Sequence, residues 1–254
     1  MDTPTTAPLK LGLVIPTLCE AGNIGSLLGH IRSVLDSHQI PYEIIVVDDD
    51  STDGTGDVVR AITRQDARVR LIVRKGERGL SGAVLDGWHN TGADILGVMD
   101  ADLQHPPELL PLLYDAVTAG NDLAIGSRYA PGGEPGGWNP MRRVLSAAAV
   151  WVTWPVQRRR ARAKDPMSGY FMVRRNSVEG IEFQRAGFKL LLEILVRGRI
   201  GSVREVPFVF GSRFRGASKA NMKVAIDYGR LLARLYLCRY GFRRSAALGV
   251  GVGH

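Results

Sequence analysis

Short, wholly apolar runs alternate with amphipathic stretches through the first 128 residues, and that rhythm constrains the fold more than any other feature. LGLVIP (11–16) stops at a proline, and NIGSLLGHIRSVLDS (23–37) then has helical spacing at Ile24, Leu27, Leu28, Ile31, Val34 and Leu35. YEIIVVDDDS (42–51) is a β-branched run that ends in acid, and GTGDVVRAITRQ (54–65) returns to helix. VRLIVR (69–74), DILGVMD (94–100) and DLAIGSR (122–128) continue the strand series, with helical segments from Gly79 and Pro107 between them. Strands without polar alternation are buried on both faces, so the pattern predicts an α/β fold. The expected architecture is a Rossmann-like, mostly parallel central sheet with helices on both faces. At 254 residues and 45% hydrophobic, the chain can build one such domain with an appendage.

Ligands of open parallel sheets sit beyond the C-terminal strand ends. Pro16–Glu20, Asp48–Asp50, Arg74–Gly79, Asp100–Gln104 and Arg128 all fall there. In MDADLQHPPE, Asp100 and Asp102 stand at i and i+2, with Gln104 a further i+2 away. Such a ladder of oxygens can reach one hard cation, Mg²⁺ or Mn²⁺, and leave room for substrate phosphates. The competing reading makes these acids helix-capping groups ahead of Pro107–Glu108. In VVDDDSTDGT, Ser51 or Asp53 can cap the helix from Gly54, leaving Asp48 and Asp49 to accept hydrogen bonds from a base or ribose. No Gly-x-Gly-x-x-Gly follows the first strand and no Gly-x-x-x-x-Gly-Lys-Ser/Thr occurs, which removes dinucleotide oxidoreductases and P-loop NTPases. His105 could act as a base, but an ordinary histidine at a helix start is the preferred reading.

Charge divides the chain. Residues 1–138 hold 10 Lys and Arg against 19 Asp and Glu, whereas residues 139–254 hold 23 against 6. That pairs a cation site with a surface for anions. A nucleic-acid-binding module is the non-enzyme alternative; RRRARAK supplies charge without a recognition motif, and the acidic half opposes a polyanion. Cys19 and Cys238 have no metal-ligand spacing and indicate no disulfide. The start MDTPTTAPLK has no signal-peptide pattern, so the expected location is cytoplasmic. VLSAAAVWVTWPV (144–156) is too short to span a bilayer, and its Arg clusters, Trp151 and Trp154 suit an interfacial helix; a core helix is the alternative. The stretch 221–244 reads as a second amphipathic helix, with Arg230 and Arg234 among leucines and tyrosines.

VIPTLCEAGNI, IIVVDDDSTDGT, RKGERGLSGAVLDG, MDADLQHPPE, AIGSRY, DPMSGYF and EVPFVFGSRFRGASK occur in that order. Together they resemble the inverting family-two glycosyltransferases of the A-type fold. More narrowly, they resemble the dolichol-phosphate mannosyltransferases, or polyprenol monophosphomannose synthases, over residues 9–220. The resemblance implies a catalytic domain at 9–220, followed at 221–254 by a C-terminal amphipathic helix and tail that meets a membrane or a partner. It implies mannosyl transfer from GDP-mannose to a polyprenyl phosphate, with UDP-glucose or a UDP-N-acetylhexosamine as alternative donors. It also implies a peripheral position on the cytoplasmic membrane face, with a membrane-anchoring subunit or domain as a further partner and no nucleic acid. Asp100, Asp102 and Gln104 match the metal-holding segment, and Pro16, Glu20 and Asp49, with Asp48 beside them, match nucleotide-lining positions. Asp100 serves the sugar nucleotide as well. Arg128, Arg142 and Ser146 match positions facing the acceptor phosphate, with Arg143 as a competing choice for Arg142. Arg213 and Lys219 match the distal basic pair near the phosphates. Gln104 departs from the serine frequent among relatives.

Overall fold

The computed structural model describes residues 8–76, 78–134, 136, 140–185, 189–211 and 228–238, with the side chains of 140 and 142–145 outside that description. Arg213 and Lys219 therefore lie outside the described residues, as do the side chains of Arg142 and Arg143.

Seven strands form one sheet: β1 (Leu11–Thr17), β2 (Tyr42–Asp48), β3 (Val69–Val73), β4 (Ile95–Val98), β5 (Leu123–Ser127), β6 (Phe171–Arg174) and β7 (Val203–Pro207). Their spatial order is β3-β2-β1-β4-β6-β5-β7. Every adjacent pair is parallel except those of β6, which runs antiparallel to both β4 and β5. All residues of β2, β4 and β5 are buried, as expected of strands covered on both faces.

The helices are α1 (Ala21–Ser37), α2 (Thr55–Thr63), α3 (Leu80–His89), α4 (Leu110–Thr118), α5 (Pro140–Thr153), α6 (Arg175–Val178) and α7 (Leu190–Arg197), with a further helix, α8, at 228–238. The two faces of the sheet carry separate cores. Ile24, Leu27, Leu28, Ile31 and Leu35 of α1 join Leu110, Leu113 and Val117 of α4 over one face. Val84 and Trp88 of α3 and Leu191, Ile194 and Leu195 of α7 cover the other. The periodic positions of 23–37 all turn inward except Val34, which is half-buried.

The helix α5 shows two faces. Val150 and Thr153 are buried, while Trp151, Val152, Trp154 and Met141 are exposed. The α8 residues Tyr228 and Tyr236 donate hydroxyl hydrogen bonds to the Ala149 and Val152 carbonyls at 2.6 and 3.0 Å, tying the two helices together. Among the described residues, no helix is long and apolar enough to cross a membrane.

Candidate active site

Four described non-glycine residues adopt positive φ, and three of them follow strands: Cys19 after β1, Asp50 after β2 and Leu103 after β4. Left-handed backbone at such residues is held only where its surroundings over-determine it, and it gathers at functional sites. The three strained turns stand together at the C-terminal edge of the β2-β1-β4 segment.

The β1 and β2 turns are tied to each other. Asp48 accepts hydrogen bonds from the Thr17 and Ser51 hydroxyls, at 2.8 and 2.6 Å, and from the Ser51 N–H. Ser51 in turn accepts the Cys19 N–H at 2.8 Å. Asp53 accepts the Thr55 N–H and, across the loop, the Ala21 N–H at the start of α1. Of the two capping candidates it is Asp53 that supports α2, whose own N-cap, Gly54, makes no side-chain cap bond. Glu20 accepts a hydrogen bond from the Asn23 amide at 2.7 Å, and the half-buried Pro16 lies beside Val47 in the parallel register.

Asp49 is buried in the same edge. It accepts from Arg74 at 3.0 Å and from the Gly79 N–H at 2.8 Å; Gly79 has φ +143°, a conformation that favours glycine. Burial pushes the Asp49 carboxyl up, against the pull of the Gly79 N–H and the Arg74 charge. Arg74 also pairs with Asp86, which Arg185 holds from the other side.

The acidic loop after β4 is not a helix cap. The turn beginning at Pro107 has Pro106 as its N-cap and takes no side-chain cap bond. Asp100 is about one-third exposed at its side chain, whereas Asp102 is buried and accepts the Gln104 N–H at 3.2 Å. Gln104 clips the loop to the chain beyond β7: its side-chain amide donates to the Gly211 carbonyl, and the Gly211 N–H donates to the Gln104 carbonyl, both at 3.0 Å. Gly211 precedes Arg213 by two residues.

His105 is an aromatic core residue. Its ring stacks on Tyr170 with centroids 4.9 Å apart and meets the edges of Phe208 and Phe210 at 5.6 Å. Burial pushes its pKa down to about 4, so the ring is neutral at physiological pH.

Arg128, at the end of β5, is held in a bidentate pair by Asp165 at 2.8 and 2.7 Å. Asp165 is fully buried and accepts the Arg128 N–H as well. The Arg128 guanidinium lies 5.4 Å from the Phe210 ring centroid, at the margin of the His105 cluster. Ser146 of α5 accepts the hydroxyl hydrogen bond of Tyr129 at 2.7 Å, which brings it beside the Arg128 segment. The intervening stretch 165–170 touches both sides of the site. Its Asp165 fixes Arg128, and its Gly169 faces Asp100 so closely that an added Cβ would lie 2.7 Å from Asp100 Oδ2. Motif reading assigned no role to Asp165; its partner Arg128 lies 37 positions away.

The fold and these strand-end groups define a glycosyltransferase of the A-type class. The glycosyl transferase family 2 model matches residues 13–181, and the chain belongs to that family. It is 42% identical over 227 residues to the dolichol-phosphate mannosyltransferase of Pyrococcus furiosus, covering 89% of this chain and 64% of that protein. To the dolichol-phosphate mannosyltransferase of Saccharomyces cerevisiae it is 37% identical over 243 residues, covering 92% of this chain and 89% of the relative. The polyprenol monophosphomannose synthase of Mycolicibacterium smegmatis is 37% identical over 229 residues, with 86% and 84% covered. Among solved structures, mannosyl-3-phosphoglycerate synthase from Rubrobacter xylanophilus superposes with a TM-score of 0.67 at 18% identity, over 97% of this chain and 77% of that one. That likeness speaks to the fold alone.

Proposed function

We propose that this chain transfers a mannosyl group from GDP-mannose to a polyprenyl, dolichyl-type monophosphate, inverting the anomeric configuration. One observation carries the reading: the stretch 165–170 joins the acidic loop at Asp100 to the arginine at 128. A seat for the donor's diphosphate thus lies beside a seat for an acceptor phosphate. The named mannosyltransferase relatives support the sugar and the acceptor.

Asp100 and Asp102, with Gln104, would hold one Mg²⁺ or Mn²⁺. Among the described residues no three His, Cys, Asp or Glu side chains converge on one point. Two carboxylates with substrate oxygens are a usual seat for such an ion, and the missing side chain of Gly169 makes room for the Asp100 carboxylate itself. When bound, the ion supplies Lewis-acid neutralisation of the leaving diphosphate. Pro16, Glu20 and Asp49 line the nucleotide, and Asp48 holds the β1 and β2 turns that present them. Arg213 and Lys219 add fixed positive charge to the diphosphate as it departs. Arg128, Arg142 and Ser146 orient the acceptor phosphate for in-line attack. A phosphate monoester is already largely dianionic at neutral pH, its second pKa being about 6, so the reaction needs no strong general base. The neutral, stacked His105 fits that chemistry.

Residues 9–220 form the catalytic unit in this reading, and 221–254 an amphipathic appendage. The exposed Trp151 and Trp154, with Arg162 5.4 Å from the Trp154 ring centroid, seat the protein peripherally on the cytoplasmic membrane face, where an anchoring partner can join it. Incubation with a panel of labelled sugar nucleotides, polyprenyl phosphate and Mg²⁺ or Mn²⁺ tests the donor. Labelled lipid from GDP-mannose alone is expected; labelled lipid from a UDP-sugar alone would reassign it.

A further inference from the structure

Glu205 places a carboxylate where β7 has reason to be apolar. Side chains alternate along a strand, so Val203 and Glu205 share one face and Val206 takes the other. Val206 joins the core beneath α1 and α4, whereas Val203 packs against the opposite core, which also takes in Ala161 and Ala163. Glu205 is half-buried on that second side. Each of its oxygens accepts a backbone N–H, Oε2 from Lys164 and Oε1 from Asp165, both at 3.0 Å. The chain is pinned again one residue earlier, where the Ala163 N–H donates to the Gln157 side-chain oxygen at 2.8 Å. Through this stretch Ala161, Ala163 and Asp165 turn inward, while Arg162 and Lys164 face solvent. Asp165 is fully buried and forks onto Arg128 at 2.8 and 2.7 Å. In the parallel β5–β7 register Glu205 stands beside Ile125, three residues before Arg128.

A carboxylate drawn partly out of water is costly unless its oxygens are hydrogen-bonded. One that accepts two successive N–H groups also fixes the direction of the peptide between them, through bonds stronger than neutral ones. The 164–165 peptide sets where the Asp165 side chain begins, and Asp165 sets the plane of the Arg128 guanidinium. A guanidinium recognises phosphate through a rigid fork, so its aim matters as much as its charge. We propose that Glu205 is a positioning residue for the acceptor, holding the 164–165 peptide so that Asp165 presents Arg128 to the phosphate monoester. The inference rests on the reading of Arg128 as a contact of the acceptor phosphate. Glu205 acts through Asp165 and Arg128 and does not itself touch substrate.

Steady-state kinetics of the full chain, with donor and acceptor varied separately, test this in wild type, Glu205→Gln, Arg128→Gln and the double variant. Glu205→Gln keeps the shape but turns one acceptor oxygen into an amide donor, so one of the two N–H groups loses its partner. The expected result is a rise in acceptor KM of about tenfold, the scale seen when an outer partner of a liganding residue is lost. Donor KM should stay within about twofold. With Arg128 already replaced, Glu205→Gln should raise acceptor KM by less than about twofold, because residues that act as one unit are not additive. A merely structural residue would lower the melting temperature and disturb both substrates alike, with or without Arg128. Unchanged acceptor KM in Glu205→Gln would overturn the proposal, and so would a rise of the same size in the Arg128→Gln background. Should Glu205→Gln not fold by circular dichroism, Glu205→Asp, too short to meet both N–H groups, takes its place in the same comparison. Unchanged acceptor KM in Arg128→Gln refutes the acceptor reading of Arg128, and the Glu205 role with it. A rise in Arg128→Gln that Glu205→Gln does not share refutes the Glu205 role alone.

Discussion

At the scale of single residues, the site depends on two contacts that composition does not reveal. Gly169 leaves space that Asp100 uses, and an alanine there would put a Cβ 2.7 Å from the carboxylate. Gly169→Ala is therefore expected to weaken Mn²⁺ binding by about tenfold, because a ~1.4 kcal/mol displacement of one ligand is enough. Titration followed by electron paramagnetic resonance would show it, and unchanged affinity would remove Gly169 from the seat. Asp165 is fully buried beneath Arg128, and removing one partner of such a pair strands the other charge. Asp165→Ala should cost about 3–5 kcal/mol in urea unfolding, where a surface pair would cost less than about 1 kcal/mol. The strand-end acids and Arg128 were legible in the sequence because hydrophobic runs end at them. The partners were not legible. His105 is a histidine before two prolines in the sequence, and only the folded chain brings Tyr170, Phe208 and Phe210 around it.

At the scale of elements, local pattern located the strands but not their order. GYFMVRR reads as a strand, yet its place between β4 and β5 and its antiparallel direction depend on where the chain returns after the α5 excursion. Strand pairing over such separations leaves no local signature. The entry into β3 rests on Asp66, which pairs with Arg68 at 2.8 Å and Arg32 at 2.9 Å. Hydrogen bonds from Arg68 hold its carboxyl down to about 2, against an ordinary 3.8. A depressed folded pKa gives stability that is present above the unfolded value and lost as pH falls through the folded one. Unfolding free energy should therefore drop between about pH 4 and pH 2 more steeply in the wild type than in Asp66→Asn, as urea titrations across that range would show. The two-faced α5 carries an element-scale expectation as well. Replacing Trp151 and Trp154 together by alanine should reduce flotation with anionic liposomes severalfold, since both side chains are solvent-facing and contribute little to the core. Flotation equal to that of the wild type would leave this helix without a membrane role.

At the scale of the whole molecule, the uneven charge of the chain matches the proposed order of chemistry. The acid-rich first 138 residues supply the strand ends after β1, β2 and β4, and the base-rich remainder supplies α5, α7 and the chain beyond β7. The Gln104–Gly211 clip and the 165–170 stretch join these halves across the sheet edge. The charge division was legible in the sequence, but the joints were not, because they pair residues 37 or more positions apart. In the proposed reaction the acidic loop would seat the cation that neutralises the leaving diphosphate. Transfer of labelled mannose from GDP-mannose to polyprenyl phosphate by wild type and Asp102→Ala tests it most directly. The wild type should make labelled lipid only with Mg²⁺ or Mn²⁺ present, and Asp102→Ala should lose at least about a thousandfold in turnover, ~4 kcal/mol, with its melting temperature essentially unchanged. Wild-type turnover in Asp102→Ala, or transfer that persists in excess chelator, would contradict it.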